Sequence, residues 1–144
     1  MKYQYNDGGR AAAGFKGTTR DCGCRAFAIA TGFDYEKVYQ ELSDINIHKN
    51  KVLVWKNGEY VRKTRRKKKT ARHGISRKAL RQLCVKYGWE YIDMPIYSAT
   101  INDLPKGTVI AEQDRHIVTV IDNIAQDTWD STKKVVFGYW RKKV

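Results

Sequence analysis

The chain has 144 residues, 42% apolar and 12% aromatic, enough for one buried core and too apolar for compositional disorder. Twenty-eight Lys and Arg against fifteen Asp and Glu give a net charge of +13, which points to polyanionic partners. No apolar run reaches the ~18 residues of a membrane span, and the opening MKYQYNDGGR has no apolar signal core, so neither a membrane nor a secreted protein is indicated.

Residues 1–20 are rich in Gly, Ala and Thr without a clear period and read as a loosely ordered lead-in. Asp21 stands at an N-cap position, and Ala26, Phe27 and Ala30 recur at helical spacing, so a helix is predicted over Cys22–Thr31 with Gly32 as its stop. A second helix follows Asp34, with Tyr35, Val38, Tyr39 and Leu42 on one face. Lys51–Trp55 and Glu59–Arg62 are β-prone runs around the turn signal Lys56-Asn57-Gly58, a predicted hairpin.

The segment Arg62–Arg72 (RKTRRKKKTAR) holds eight basic residues and no acid; without it twenty basic residues face fifteen acidic ones, +5. It reads as a basic loop or insertion. Such a run is either a solvated face or a binding surface for nucleic acid or another acidic partner, carried by Arg62, Lys63, Arg65, Arg66, Lys67, Lys68, Lys69 and Arg72.

Ser76 can cap a third helix, Arg77–Tyr87, ended by Gly88, with Cys84 on its apolar face. Trp89–Met94, Thr108–Ala111, His116–Ile121, Ile124–Trp129 and Val135–Trp140 read as strands. Helices first and consecutive antiparallel strands second make the class α+β, in one domain spanning residues 1–144.

Three local features bear on chemistry. A thiol at Cys22, in the first turn of a helix, faces unpaired backbone N–H groups and the positive end of the helix dipole, which favour the nucleophilic thiolate. His116 opens an apolar strand after a polar run and can accept a proton near neutral pH. His48 and His73 lie in polar stretches and are weaker candidates. If Asp122-Asn123 is a two-residue loop, Ile121 pairs with Ile124 and His116 faces Trp129. Asp127 is then its diagonal neighbour on the same sheet face, and Asp130 points away. Asp127 is favoured as the carboxylate that orients the imidazole, with Asp130 in reserve.

No metal is expected: Cys22 and Cys24 offer two thiolates, but no second close pair accompanies them. No cofactor is expected either, since Gly8, Gly9, Gly14 and Gly17 lack the strand and spacing of a nucleotide-binding loop. Three cysteines cannot all pair, and a reduced, cytosolic state is the default.

Cysteine at a helix N-terminus, histidine opening a strand and carboxylate on the next strand is the chain order of papain-like cysteine peptidases. The run Cys22-Gly23-Cys24-Arg25-Ala26-Phe27-Ala28 resembles their nucleophile helix, and Asp21-Cys22-Gly23 resembles the bacteriocin-leader peptidases of transporter systems. The segments DC-x-x-RA-x-A-x-x-TG-x-x-Y-x-x-VY (Asp21 to Tyr39) and LPKGTVIA…HIVTVID…DTWD…GYW (Leu104 to Trp140) resemble small papain-like proteins encoded by bacteriophages.

The resemblance implies a papain-like fold, with N-terminal helices packed on a C-terminal antiparallel sheet. It implies a thiol hydrolase, peptidase or isopeptidase, acting in the host cytoplasm or with the virion. Cys22 would be the nucleophile, His116 the base and Asp127 the orienting acid. Aligning on Ala26-Phe27 instead places Cys24 at the nucleophile position, so Cys24 stands in reserve. The oxyanion-hole glutamine of such enzymes is missing from residues 15–20, where Thr18, Thr19 or the Cys22 backbone N–H would have to substitute. A non-catalytic protein that uses the same scaffold and its basic face to engage nucleic acid, the ribosome or a host complex is the alternative.

Overall fold

The computed structural model describes residues 2–15, 20–71 and 74–143, with 48–50 as backbone alone. The chain is α+β. Strand β1 (Lys2–Tyr5) precedes helices α1 (Cys22–Thr31) and α2 (Tyr35–Ile45). A long hairpin, β2 (Ile47–Lys56) and β3 (Glu59–Lys68), leads to helix α3 (Arg77–Lys86). Strands β4 (Trp89–Asp93), β5 (Thr108–Gln113), β6 (His116–Ile121), β7 (Ile124–Asp127) and β8 (Val136–Lys142) complete it. Six strands form one sheet in the order β1-β7-β6-β5-β8-β4, while β2 and β3 form a separate ribbon.

Two expectations are corrected here. The lead-in contributes a strand, and because β1 pairs parallel with β7 the sheet is mixed rather than antiparallel. The basic segment is no loop over Arg62–Lys68: these residues continue β3, paired residue for residue with β2. Backbone pairing set by the Asn57-Gly58 turn, whose φ angles of 52° and 81° suit a two-residue hairpin loop, carries the strand through side chains with no apolar alternation.

Apolar alternation along β5, β6 and β8 fills both faces of the sheet. On one face Ile110 and Trp140 join Phe27, Val38, Leu42, Leu80, Leu83 and Cys84 of the helices in a single cluster. In a second cluster Val109, Val118, Val120, Val136 and Tyr139 pack with Ile101 and Leu104 from the β4–β5 connection. Helix α1 lies central and is buried along Gly23–Ala28; its small residues let the backbone sit close to the sheet. The Thr119 hydroxyl donates to the Ala26 carbonyl, a buried tie between α1 and β6. Gly23 is small for a local reason: a Cβ there would lie 2.2 Å from Ile75 Cδ1.

Candidate active site

Two tight turns place His116. Gln113 pairs with His116 around Asp114-Arg115, and Ile121 pairs with Ile124 around Asp122-Asn123. Both residues of the second loop have positive φ, 50° and 65°, the conformation that Asp and Asn tolerate best among residues with a side chain. That loop fixes the register Thr119↔Gln126 and Val120↔Ala125, so His116, at the start of β6, and Asp127, at the end of β7, share a side of the sheet, as the parity argument requires.

His116 Nε2–H donates to Asp127 Oδ2 at 2.5 Å, with both side chains buried. The Cys22 thiol, on the first residue of α1, interacts with the same ring and favours its protonated form. Because Nε2 is committed to Asp127, Nδ1 is the nitrogen left for the sulfur. Burial alone would lower the His116 pKa; the hydrogen bond to Asp127 and the hydrogen bond and charge of Cys22 outweigh it, and the net shift is upward. Trp129 lies against the imidazole, ring centroids 4.6 Å apart, and shields the ring from water on that side.

Behind His116 and Asp127 sits an ionic network that no motif in the sequence announces. Asp21 occupies the N-cap position of α1, but its carboxylate makes no capping bond. It is buried and held instead by Arg25, by the Tyr35 hydroxyl at 2.5 Å and by Arg10 Nε at 3.3 Å. Arg25 reaches on to Asp127 Oδ1 at 3.3 Å, and the Thr128 backbone N–H donates to that oxygen at 2.7 Å. A continuous line therefore runs Arg10–Asp21–Arg25–Asp127–His116. Two arginines face two aspartates along it. The i,i+4 spacing of Asp21 and Arg25 was the one local signal of this network.

The reserve residues lie elsewhere. Cys24 is fully buried in the helix core, donates to the Tyr35 carbonyl at 3.7 Å, and burial chiefly pushes its thiol up to about 12. Asp130 accepts from the Thr132 backbone and hydroxyl, closing a turn of its own. Cys84 is buried, and desolvation raises its pKa as well. Thr18, Thr19, Arg72 and His73, and the His48 side chain, lie outside the described residues.

Of the basic segment, Arg62–Lys68 stand exposed on β3, while the Lys69 backbone N–H donates to the Asn46 carbonyl at the base of the ribbon. A separate groove between α3 and the β4–β8 edge, about 1280 Å³ and lined by Arg77, Arg81, Trp89 and Glu112, includes no member of the triad. Among the described residues no group of three or more potential metal ligands occurs, and no helix is long and apolar enough to cross a membrane. No protein-family model, curated protein or solved structure matches the chain.

Proposed function

We propose that this chain is a phage-encoded, papain-like thiol hydrolase acting on a peptide or isopeptide bond. The observation that carries the reading is the buried His116–Asp127 pair at the start of β6, against which α1, with Cys22 as its first residue, is packed. In the forward step His116 Nδ1 takes the thiol proton while Cys22 Sγ bonds to the carbonyl carbon. The proton then passes to the departing amine, which leaves an acyl-thioester. Water, deprotonated by the same nitrogen, attacks the thioester and releases the acid and the thiol. Asp127 fixes the tautomer by holding Nε2–H and stabilises the imidazolium formed in between. The helix N-terminus, including the Cys22 backbone N–H, offers donors for the developing oxyanion. Arg25 is a positioning residue, since it touches Asp127 rather than the reacting atoms.

The exposed cations of the ribbon support a second element of the reading, docking of the enzyme on a polyanionic partner in the host cytoplasm or the virion.

The chemistry is tested by iodoacetamide labelling at pH 6, followed per cysteine by mass spectrometry. Cys22 is expected to react at least about tenfold faster than Cys24 and Cys84. His116→Gln should slow Cys22 by about tenfold or more while leaving the fold intact by circular dichroism, as expected for a thiolate that depends on the imidazolium. A Cys22 rate unmoved by His116→Gln would refute the pair. Its failure would leave the polyanion reading standing.

A further inference from the structure

The ribbon is the most unusual feature of the molecule. Its two ten-residue strands extend over about 33 Å, and none of the side chains described along it, residues 51–68, is buried. Its described ties to the body cluster at the base: the Lys69–Asn46 backbone bond and an exposed ion pair from Lys68 to Asp44. A lone two-stranded hairpin is marginal in water, and this one concentrates like charge along β3. Over Arg62–Lys68 only Thr64 is not basic.

The register, uninterrupted from Lys56↔Glu59 to Ile47↔Lys68, sorts those cations. Side chains alternate between faces, so Arg62, Arg66 and Lys68 share one face with Tyr60, Trp55, Leu53 and Lys51. Lys63, Arg65 and Lys67 share the other with Val52, Val54 and Val61. Three β3 cations therefore project on each side of a thin ribbon. A flat anionic surface could engage one face only. A partner that neutralises both must have phosphate on two sides, which describes a groove.

Resting on the polyanion-docking reading, we infer that the partner is double-stranded DNA, with the β2–β3 ribbon lying in its major groove. That groove, ~12 Å wide, admits a two-stranded ribbon. The major groove of A-form RNA is deep and narrow and does not. Single strands are bound by stacking bases on open aromatic faces. Here the exposed rings, Trp55 (62%) and Tyr60 (67%), pack edge to face on each other with centroids 5.0 Å apart, which places them as an apolar wedge beside the turn rather than a stacking platform. The hydrolase centre would thereby be brought to protein substrates assembled on DNA.

The test uses the full chain and fluorescence anisotropy with a labelled mixed-sequence 20-base-pair DNA duplex. Parallel arms use the same sequence as RNA duplex and as single strand, and vesicles containing phosphatidylserine. Neutralising about six phosphates gives a slope of log K against log salt near −5. Arg62→Gln/Arg66→Gln/Lys68→Gln and Lys63→Gln/Arg65→Gln/Lys67→Gln should each weaken duplex binding at least about tenfold and flatten the slope by about 3. Because these side chains are exposed, and the solvent-exposed Lys68–Asp44 pair is worth no more than about 1 kcal/mol, the melting temperature should move by a few degrees at most and the Cys22 labelling rate should not move, which separates this result from failure of the hydrolase reading. Loss from one triple variant alone would indicate a flat partner and overturn the inference. RNA duplex, single strand or vesicles bound as tightly as the DNA duplex would overturn it while sparing the polyanion reading. Binding to none of the four would overturn both.

Discussion

At the scale of single residues, the site joins the His116–Asp127 pair to the Asp21–Arg25 pair. His116 is bonded through Nε2 to Asp127, and the contact of Asp127 with Arg25 ties the carboxylate to the helix that carries Cys22. Removing Arg25 leaves two buried carboxylates short of a partner, so Arg25→Met is expected to destabilise by about 3 kcal/mol, lowering Tm by about 10 °C. It should also slow Cys22 labelling at pH 6, and Arg25→Lys should restore stability only in part because the bridge to two carboxylates suits a guanidinium.

His116 also sets a pH dependence. Its pKa in the folded protein is raised above the ordinary 6.5, so its bonds stabilise fully below pH 6.5 and lose that contribution as pH rises through the folded-state value. Urea unfolding of the wild type and His116→Gln in parallel is therefore expected to show a stability gap that narrows above pH 6.5; a gap that widens would contradict the shift. At this scale the sequence was legible where geometry is local. The two-residue loop at Asp122-Asn123 fixed the parity that selects Asp127 over Asp130. Asp21 does hold the N-cap position, but nothing in the chain order shows that Arg10 and Tyr35 fold onto its carboxylate.

At the scale of elements, one buried side chain fixes the base of the ribbon. Asn46 is fully buried; its Nδ2 donates to the Lys69 and Gly74 carbonyls at 3.1 and 2.8 Å, and its Oδ1 accepts from the Ser76 backbone N–H at 2.7 Å. It thus anchors the return of the ribbon and the approach to α3 together, and Ser76 in turn caps that helix through the Ala79 N–H. Asn46→Ala strands several of these groups and is expected to destabilise by about 3 kcal/mol, with trypsin cleavage at Lys69 accelerated well beyond that at Lys86. Equal acceleration at both sites would mean global unfolding rather than a loosened ribbon base.

Helices α1 and α3 were legible to within a residue, and α2 at its start, because their apolar faces, the Gly32 stop and the Ser76 cap are local signals. Strand ends were less so. β5 runs on to Gln113 and β7 stops at Asp127, since polar residues at a strand end are assigned by pairing partners, not by composition. β1 was invisible for the same reason: its four residues pair with β7, more than 100 positions away.

At the scale of the whole molecule, charge and core are held in different places. Neither buried cluster draws a residue from 47–68, whereas 48–67 holds eight basic residues and one acid, so their removal takes the net charge from +13 to +6. Ile47 and Lys68 face each other across the base of the ribbon, just inside the Asn46–Lys69 bond. A two-residue Asn-Gly loop can close that gap, making a variant in which residues 48–67 are replaced by Asn-Gly. Such a variant is expected to melt within about 5 °C of the parent, because it loses exposed surface and like-charge repulsion rather than core. Its Cys22 should be alkylated at the parent rate, and its affinity for duplex DNA should fall by more than that of either triple variant. If Tm instead fell by more than about 10 °C, or if Cys22 lost its reactivity, the ribbon would be part of what holds α1 against β6. The separation of a neutral, networked site from a cationic arm would then have to be abandoned.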